Sequence, residues 1–184
     1  MPDYHKLEII DADGLKRTLT RLAYEIVERN GGVEDVVILG IRTRGVPLAE
    51  RIIGEIERIE NNQLKLGILD VTMYRDDVFK KIKKPVVQTT HIDFEIDGKV
   101  VVLVDDVLFT GRTIRAALDA VVDFGRPTAI QLAVLVDRGH RELPIRADYV
   151  GKTIETTPGQ EIRVHMKEID EIDGVYLINT SEGV

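Results

Sequence analysis

The sequence predicts an α/β protein built on a doubly wound, mostly parallel sheet, and one recurring pattern carries that prediction. Continuous apolar runs stand at residues 36–39 and 100–104, and a third run at 129–136 is broken only by Gln131, as expected of strands buried on both faces of a parallel sheet. The first two lead through a polar loop into a segment of helical spacing. Alternation of this kind implies a sheet wound on both sides, with ligands outside the carboxyl ends of its strands.

The elements follow in order. Leu15, Leu19, Leu22 and Ile26 recur on one helical face, with Asp13 as the expected N-cap and Gly31 as the stop. After the run at 36–39, residues 40–45 form a polar loop. Pro47 then opens a second helix with Leu48, Ile52, Ile56 and Ile59 on one face. Residues 66–74 read as another strand. Residues 75–98, with Lys80, Lys81, Lys83 and Lys84 ahead of Pro85, read as a long mobile arm. The run at 100–104 leads into a loop over 105–112 and a helix over 113–124 that turns Ile114, Ala117, Leu118 and Val121 inward and stops at Gly125.

Composition narrows the function classes. At 184 residues, with 43% hydrophobic and 31% charged content, the chain is expected to form one domain over residues 1–184. It has no run of about 18 apolar residues, and Met1-Pro2-Asp3-Tyr4-His5-Lys6 lacks the order of a secretory signal. A soluble cytoplasmic protein that does not engage membranes is expected. Zero cysteines and four scattered histidines, at positions 5, 91, 140 and 165, offer neither disulfides nor zinc-ligand spacing. The net charge of −7 argues against indiscriminate coating of nucleic acid. Cations nevertheless cluster locally, with Lys16, Arg17, Arg21 and Arg29 in one segment and Arg138, Arg141, Arg146 and Lys152 in another.

The stretch richest in chemistry is Val100-Val101-Val102-Leu103-Val104-Asp105-Asp106-Val107-Leu108-Phe109-Thr110-Gly111-Arg112-Thr113. An apolar strand delivers two carboxylates to a sheet edge, and four residues later Thr110 begins a turn into a helix. Paired carboxylates accept hydrogen bonds from vicinal ribose hydroxyls, while helix N-terminal N–H groups hold a phosphate. By residue type alone the acids also fit a metal site or a helix cap. A second anion site is available in Gly40-Ile41-Arg42-Thr43-Arg44-Gly45, where two guanidiniums flank a glycine-bounded turn; a solvated basic turn is the plainer reading of that loop by itself. Neither Gly-x-Gly-x-x-Gly nor a Walker A sequence is present.

The first stretch resembles the phosphoribosyl pyrophosphate (PRPP) motif of type I phosphoribosyltransferases. The resemblance implies that Asp105 and Asp106 contact the ribose diol and that Thr110, Gly111, Arg112 and Thr113 hold the 5-phosphate. It also makes 40–45 the pyrophosphate loop, with Thr43 and Gly45 binding PRPP and Arg42 and Arg44 stabilising the leaving group alongside the catalytic acid pair. It further implies a flexible lid, about residues 70–98, in which Tyr74, Arg75, Asp76 and Asp77 take part, and a small hood over about 137–184. Val136, Asp137 and Arg138 are expected at the uracil, with Mg²⁺ arriving on PRPP and no firm protein ligand for it.

Residues 131–152, with Thr20-Arg21, Glu28-Arg29-Asn30 and Thr43-Arg44-Gly45, are similar to the pyrimidine operon attenuation regulators, a family that also has uracil phosphoribosyltransferase activity. That likeness covers about residues 15–152. It implies uracil and UMP as ligands, the leader of pyrimidine-operon messenger RNA as a partner, and a homodimer or homotetramer. Thr20, Arg21, Arg29, Arg141, Arg146 and Lys152 match the family's RNA-facing positions. Tyr24 departs from the histidine of some members, though a tyrosine still stacks on an unpaired base. His140 reads as a surface or RNA-contacting group rather than a general base. Two rivals stay open: a phosphoribosyltransferase without RNA regulation, and an RNA-binding regulator that uses UMP only as an effector.

Overall fold

The three apolar runs become the central strands of a five-stranded parallel sheet in the order β3-β2-β4-β5-β6, whose edge strand β6 the sequence reading did not anticipate. The structure, a computed structural model, describes residues 6–74 and 89–180. The strands are β2 (Val36–Ile41), β3 (Leu66–Leu69), β4 (Val100–Leu108), β5 (Ala129–Asp137) and β6 (Tyr149–Thr153). Every residue of β2 is buried, as a central parallel strand requires. From β2 the chain passes to β3 on one side and returns to β4 on the other, so the winding reverses between β2 and β4. Ligands of open α/β sheets bind outside the carboxyl ends of the strands at such a reversal.

Helix α1 (Ala12–Asn30) buries Leu15, Leu19, Leu22 and Ile26 as the spacing predicts, and Gly31 ends it in the left-handed conformation. Its N-cap is Asp11 rather than Asp13: the Asp11 carboxylate accepts from Gly14 N–H at 2.7 Å, the geometry that satisfies a first-turn donor. Helix α2 (Gly45–Glu60) starts two residues before Pro47, and helix α3 (Arg112–Val122) follows Gly111, whose φ of 93° suits glycine. At Gly151 a Cβ would lie 2.4 Å from Leu135 O and 2.8 Å from Thr18 Cγ2. Gly151→Ala is therefore expected to cost about 1–3 kcal/mol by forcing β6 away from β5 and α1, measurable as a lower denaturation midpoint.

Three boundaries differ from expectation for local reasons. The strand read over 66–74 ends at Leu69, because Asp70 Oδ1 accepts from both Thr72 N–H (2.9 Å) and Thr72 Oγ1–H (2.6 Å) and folds Thr72–Tyr74 into a 3₁₀ turn. The loop read at 105–112 is shorter, since β4 runs on through Asp105 and Asp106 in register with β5. The helix read over 113–124 begins at Arg112 and ends at Val122.

A second, antiparallel sheet in the order β1-β8-β7 is formed by β1 (Lys6–Ile10), β7 (Gln160–His165) and β8 (Gly174–Asn179), with the short helix α4 (Lys167–Asp170) between β7 and β8. The expected hood over 137–184 thus recruits β1 from the other end of the chain. Ile10, Ile162, Val164, Met166 and Val175 join the same buried cluster as Leu15, Ile52 and Val104, so both sheets share one core.

Arg51 of α2 fastens this small sheet, donating to Glu168 (2.7 and 2.8 Å) and Asp173 (2.8 and 3.1 Å). Its hydrogen bonds hold the Glu168 carboxyl below the usual carboxylate range. Burial opposes this at Asp173, yet the bonds from Arg51 and Lys167 N–H bring that carboxyl down as well. Both folded values lie below the unfolded ones, so the stabilisation is present above about pH 4 and is lost as pH falls through the folded values. Acidification below about pH 4 is expected to raise amide exchange in β7 and β8 before β2 and β4.

Candidate active site

The winding reversal sets the pyrophosphate-type loop beside the acid pair. Residues 42–44 leave β2 and lead directly into α2, and Arg42–Thr43 is a cis peptide. Gly45 is packed on β4: a Cβ there would stand 2.3 Å from Val104 O and 3.3 Å from Asp105 Cα. Only a glycine lets the loop and the strand end approach this closely. Gly40 is equally confined, with a virtual Cβ 2.7 Å from Val46 Cα.

Asp105 is buried and Asp106 half-buried at the end of β4. Asp105 Oδ1 accepts from Asp106 N–H at 2.9 Å and Asp106 Oδ1 from Val107 N–H at 2.8 Å. Each carboxylate is thereby held by the backbone of the next residue. Burial pushes the Asp106 carboxyl up, against the lowering pull of the Val107 N–H and of the Arg44 guanidinium.

Beyond the pair, Thr110, Gly111, Arg112 and Thr113 gather at the N-terminus of α3. Arg115 N–H opens the helix on Gly111 O, and Thr110 O accepts from Glu142 N–H and Leu143 N–H at 2.9 and 3.1 Å. Arg112 Nε pairs with Glu142 at 2.6 Å. The turn is thus braced from behind, Arg112 N–H donates to Thr110 Oγ1 at 3.3 Å, and a helix N-terminus entered through a glycine in this way suits a phosphate.

The uracil expectations divide. Val136 is fully buried and pairs with Val107 and Lys152 on either side, so its side chain lies in the core and its backbone is the part that could meet a base. Asp137 accepts from Gly139 N–H and pairs with Arg141. Arg138 spreads its guanidinium 4.0 Å from the ring of Phe109 and donates to Gln160 O at 2.9 Å. Phe109, 41% exposed within the acid-pair motif, escaped the sequence reading; an exposed aromatic between two polar loops was the available signal.

A polar cavity of about 450 Å³ opens beside Asp106, lined by Arg44, Glu161, Arg163 and His165. The last three come from β7, where Ile162 and Val164 point into the core and the alternate residues face outward. Burial lowers the His165 pKa. Arg44 donates from Nε (3.3 Å) and Nη2 (2.8 Å) to Asp170 of α4, a contact that sequence reasoning did not foresee. Arg42 reaches Thr89 O at 3.4 Å and Thr43 is exposed. Of the lid residues, Tyr74 donates its hydroxyl to Asp123 at 2.5 Å; Arg75, Asp76 and Asp77 and the lysine-rich arm lie outside the described residues.

The cations expected at RNA fall mostly on a face made by α1 and β6. Arg21 donates to Val150 O (3.2 Å) and Gly151 O (2.5 Å), and Arg29 pairs with Asp148 at 2.8 Å. Arg21, Arg17 and Lys152 line one cavity of about 550 Å³. Thr20 is bonded to Glu55, while Arg146 and Tyr24 are exposed. Arg141 differs, because its guanidinium is engaged by Phe109 O, Ile145 O and Asp137; it braces the loop that carries Arg146. His140 lies with Nε2 2.5 Å from Thr156 O. Among the described residues no three His, Cys, Asp or Glu gather in a metal-holding group, and no helix is long and apolar enough to cross a membrane.

Residues 6–169 match the phosphoribosyl transferase domain. A bifunctional protein PyrR of Pelotomaculum thermopropionicum is 56% identical over 177 residues, covering 96% of this chain and 98% of that protein. One of Roseiflexus sp. is 57% identical over 175 residues, covering 95% and 96%. Among solved structures, a Trypanosoma cruzi hypoxanthine phosphoribosyltransferase bound to its product IMP aligns with a TM-score of 0.71 at 16% identity, covering 99% of this chain and 94% of that one. A Bacillus anthracis hypoxanthine-guanine phosphoribosyltransferase aligns at 0.67 and 21%, covering 94% and 96%. With the fold, the domain match and full-length relatives in agreement, this chain belongs to the type I phosphoribosyltransferases and, within them, to the family of bifunctional PyrR proteins.

Proposed function

We propose that this protein transfers the phosphoribosyl group of PRPP to uracil, giving UMP and pyrophosphate, and that it also binds the leader of pyrimidine-gene messenger RNA when UMP is present, favouring transcription termination. The enzymatic half rests above all on the packing of Gly45 against Val104 and Asp105, which joins an arginine-bearing loop to a carboxylate pair.

The residues divide the work by charge. Asp105 and Asp106 accept the two ribose hydroxyls and face the positive charge that grows at the C1 carbon as the diphosphate leaves. Thr110, Gly111, Arg112 and Thr113 hold the 5-phosphate at the α3 N-terminus. Arg42 and Arg44, with the Thr43 and Gly45 backbone, take the departing pyrophosphate, so catalysis is chiefly positioning and electrostatics. A Mg²⁺ ion bound with PRPP would further neutralise the leaving group, and the carboxylates of Asp105 and Asp106 beside the loop would be the oxygen donors nearest to it. The flat pyrimidine enters beside Phe109 and the Arg138 guanidinium, with Asp137 at its edge. Tyr74 stands where a lid that excludes water from the ribosyl cation would begin.

For RNA, exposed Arg146 and Lys152 with Arg21, Arg29 and Thr20 contact phosphates and Tyr24 stacks on an unpaired base, while Arg141 keeps the Arg146 loop in place. Cytoplasmic location and assembly as a homodimer or homotetramer fit this role. Arg146→Ala with Lys152→Ala is expected to weaken leader-RNA binding by at least about tenfold and flatten its salt dependence by about two counterions, with uracil turnover unchanged. Equal affinity in a filter-binding titration would refute the assignment of that face.

A further inference from the structure

We propose that Asp170, a residue of the hood helix α4, is a positioning residue for the proposed transfer: it sets the direction in which Arg44 presents its guanidinium to the PRPP diphosphate. This rests on the reading of Arg44 as a diphosphate ligand.

Arg44 is the N-cap residue of α2 but makes no capping bond, so nothing in its own helix orients the side chain. Asp170 takes Nε at 3.3 Å and Nη2 at 2.8 Å, the side-on fork that fixes a guanidinium in a plane. Nη1 and the second N–H of Nη2 are then left for the cavity where Arg44 meets Asp106. Asp170 is itself immobilised, since its Oδ2 accepts from Met166 N–H at 2.9 Å and closes the turn that carries it. Burial works against ionisation, but the bonds from Met166 and Arg44 keep the carboxyl below the usual range, so the orienting charge is present at neutral pH.

Attachment of the hood to α2 does not depend on this contact. Arg51, seven residues along α2, holds Glu168 and Asp173 through four short bonds. Loss of the Asp170 charge therefore redirects Arg44 without releasing the sheet, and the two arginines separate orientation from attachment.

The test is a kinetic double-mutant cycle on the full chain with PRPP, Mg²⁺ and uracil. Asp170→Asn keeps the shape and an acceptor for Met166 N–H but loses the charged fork. It is expected to raise the KM for PRPP and the inhibition constant of pyrophosphate together, by about tenfold, with the KM for uracil within about twofold and the melting temperature within about 3 °C. Asp170→Glu, with the charge one methylene further out, is expected to recover part of the PRPP affinity. Arg44→Ala is expected to weaken PRPP at least as much, and the double variant Arg44→Ala/Asp170→Asn to be no worse than Arg44→Ala alone, the signature of a residue acting through its partner. Additive losses, or a uracil KM that rises with the PRPP KM, would overturn the positioning role. If Arg44→Ala weakens PRPP while Asp170→Asn does not, the inference alone fails; if Arg44→Ala leaves PRPP affinity unchanged, the diphosphate reading fails and takes the inference with it.

Discussion

Asp105→Asn combined with Asp106→Asn is expected to lower uracil-dependent pyrophosphate release by about 10³-fold or more, while the protein remains folded. Two negative charges at the end of β4 are the groups nearest the proposed ribose, and an amide pair keeps their shape without their field. The backbone contacts survive, because each asparagine oxygen can still accept from the next N–H as the carboxylates do at 2.9 and 2.8 Å. Stability should move the other way from activity. Burial raises the folded pKa of Asp106, so its contribution to stability is complete below the unfolded value and falls as pH rises through the folded one. Removing that charge at neutral pH is therefore expected to hold or raise the melting temperature. Differential scanning calorimetry beside the assay separates a lost charge from a lost fold.

Gly45→Ala is expected to lose both activity and stability. A Cβ at 2.3 Å from Val104 O and 3.3 Å from Asp105 Cα meets backbone on a central strand, which cannot rotate aside as a flexible side chain would. The substitution costs about 3 kcal/mol, near the upper end for overpacking, and should lower the melting temperature by about 6–12 °C for a chain of this size. Because relief can come only from separating the loop from β4, turnover should fall by about 10²-fold or more through misplacement alone. Gly54→Ala, inside α2 at a position where nothing lies within 4 Å of a virtual Cβ, is the control: turnover should stay unchanged and the melting temperature should hold or rise, since alanine favours a helix interior over glycine by up to about 1 kcal/mol.

The central strands were legible because they are buried on both faces and read as apolar runs, as β2 does over its whole length; the edge strand β6, Tyr-Val-Gly-Lys-Thr with Lys152 and Thr153 exposed, gave no such run and was missed. The site motifs were legible for the opposite reason: Asp105-Asp106 and Arg42-Thr43-Arg44 put charges where a buried strand should continue. That same signal misled the boundary of β4, since two carboxylates read as the start of a loop although the ladder to β5 continues past them. The second sheet was harder to see. Lys6, Leu7 and Glu8 of β1 are exposed, and β7 alternates polar and apolar residues, so neither stands out from loop composition. The acids from Glu155 onward carry no motif in the sequence, because the partners of Glu168, Asp170 and Asp173 are remote. Glu168 and Asp173 lie 117 and 122 positions from Arg51, and Asp170 lies 126 from Arg44, distances at which no spacing rule operates. Arg141 was read from its charge and from its match to the family's RNA-facing positions, and its bonds to Phe109 O, Ile145 O and Asp137 depend on a loop conformation that neither specifies.

The most direct test of the central claim is product formation from labelled uracil and PRPP with Mg²⁺, run beside hypoxanthine as the competing base. UMP formed only with uracil, with a stoichiometric release of pyrophosphate and no IMP above background, is the predicted result. Turnover of hypoxanthine in preference to uracil, or no product with either base while UMP still promotes RNA binding, would contradict it.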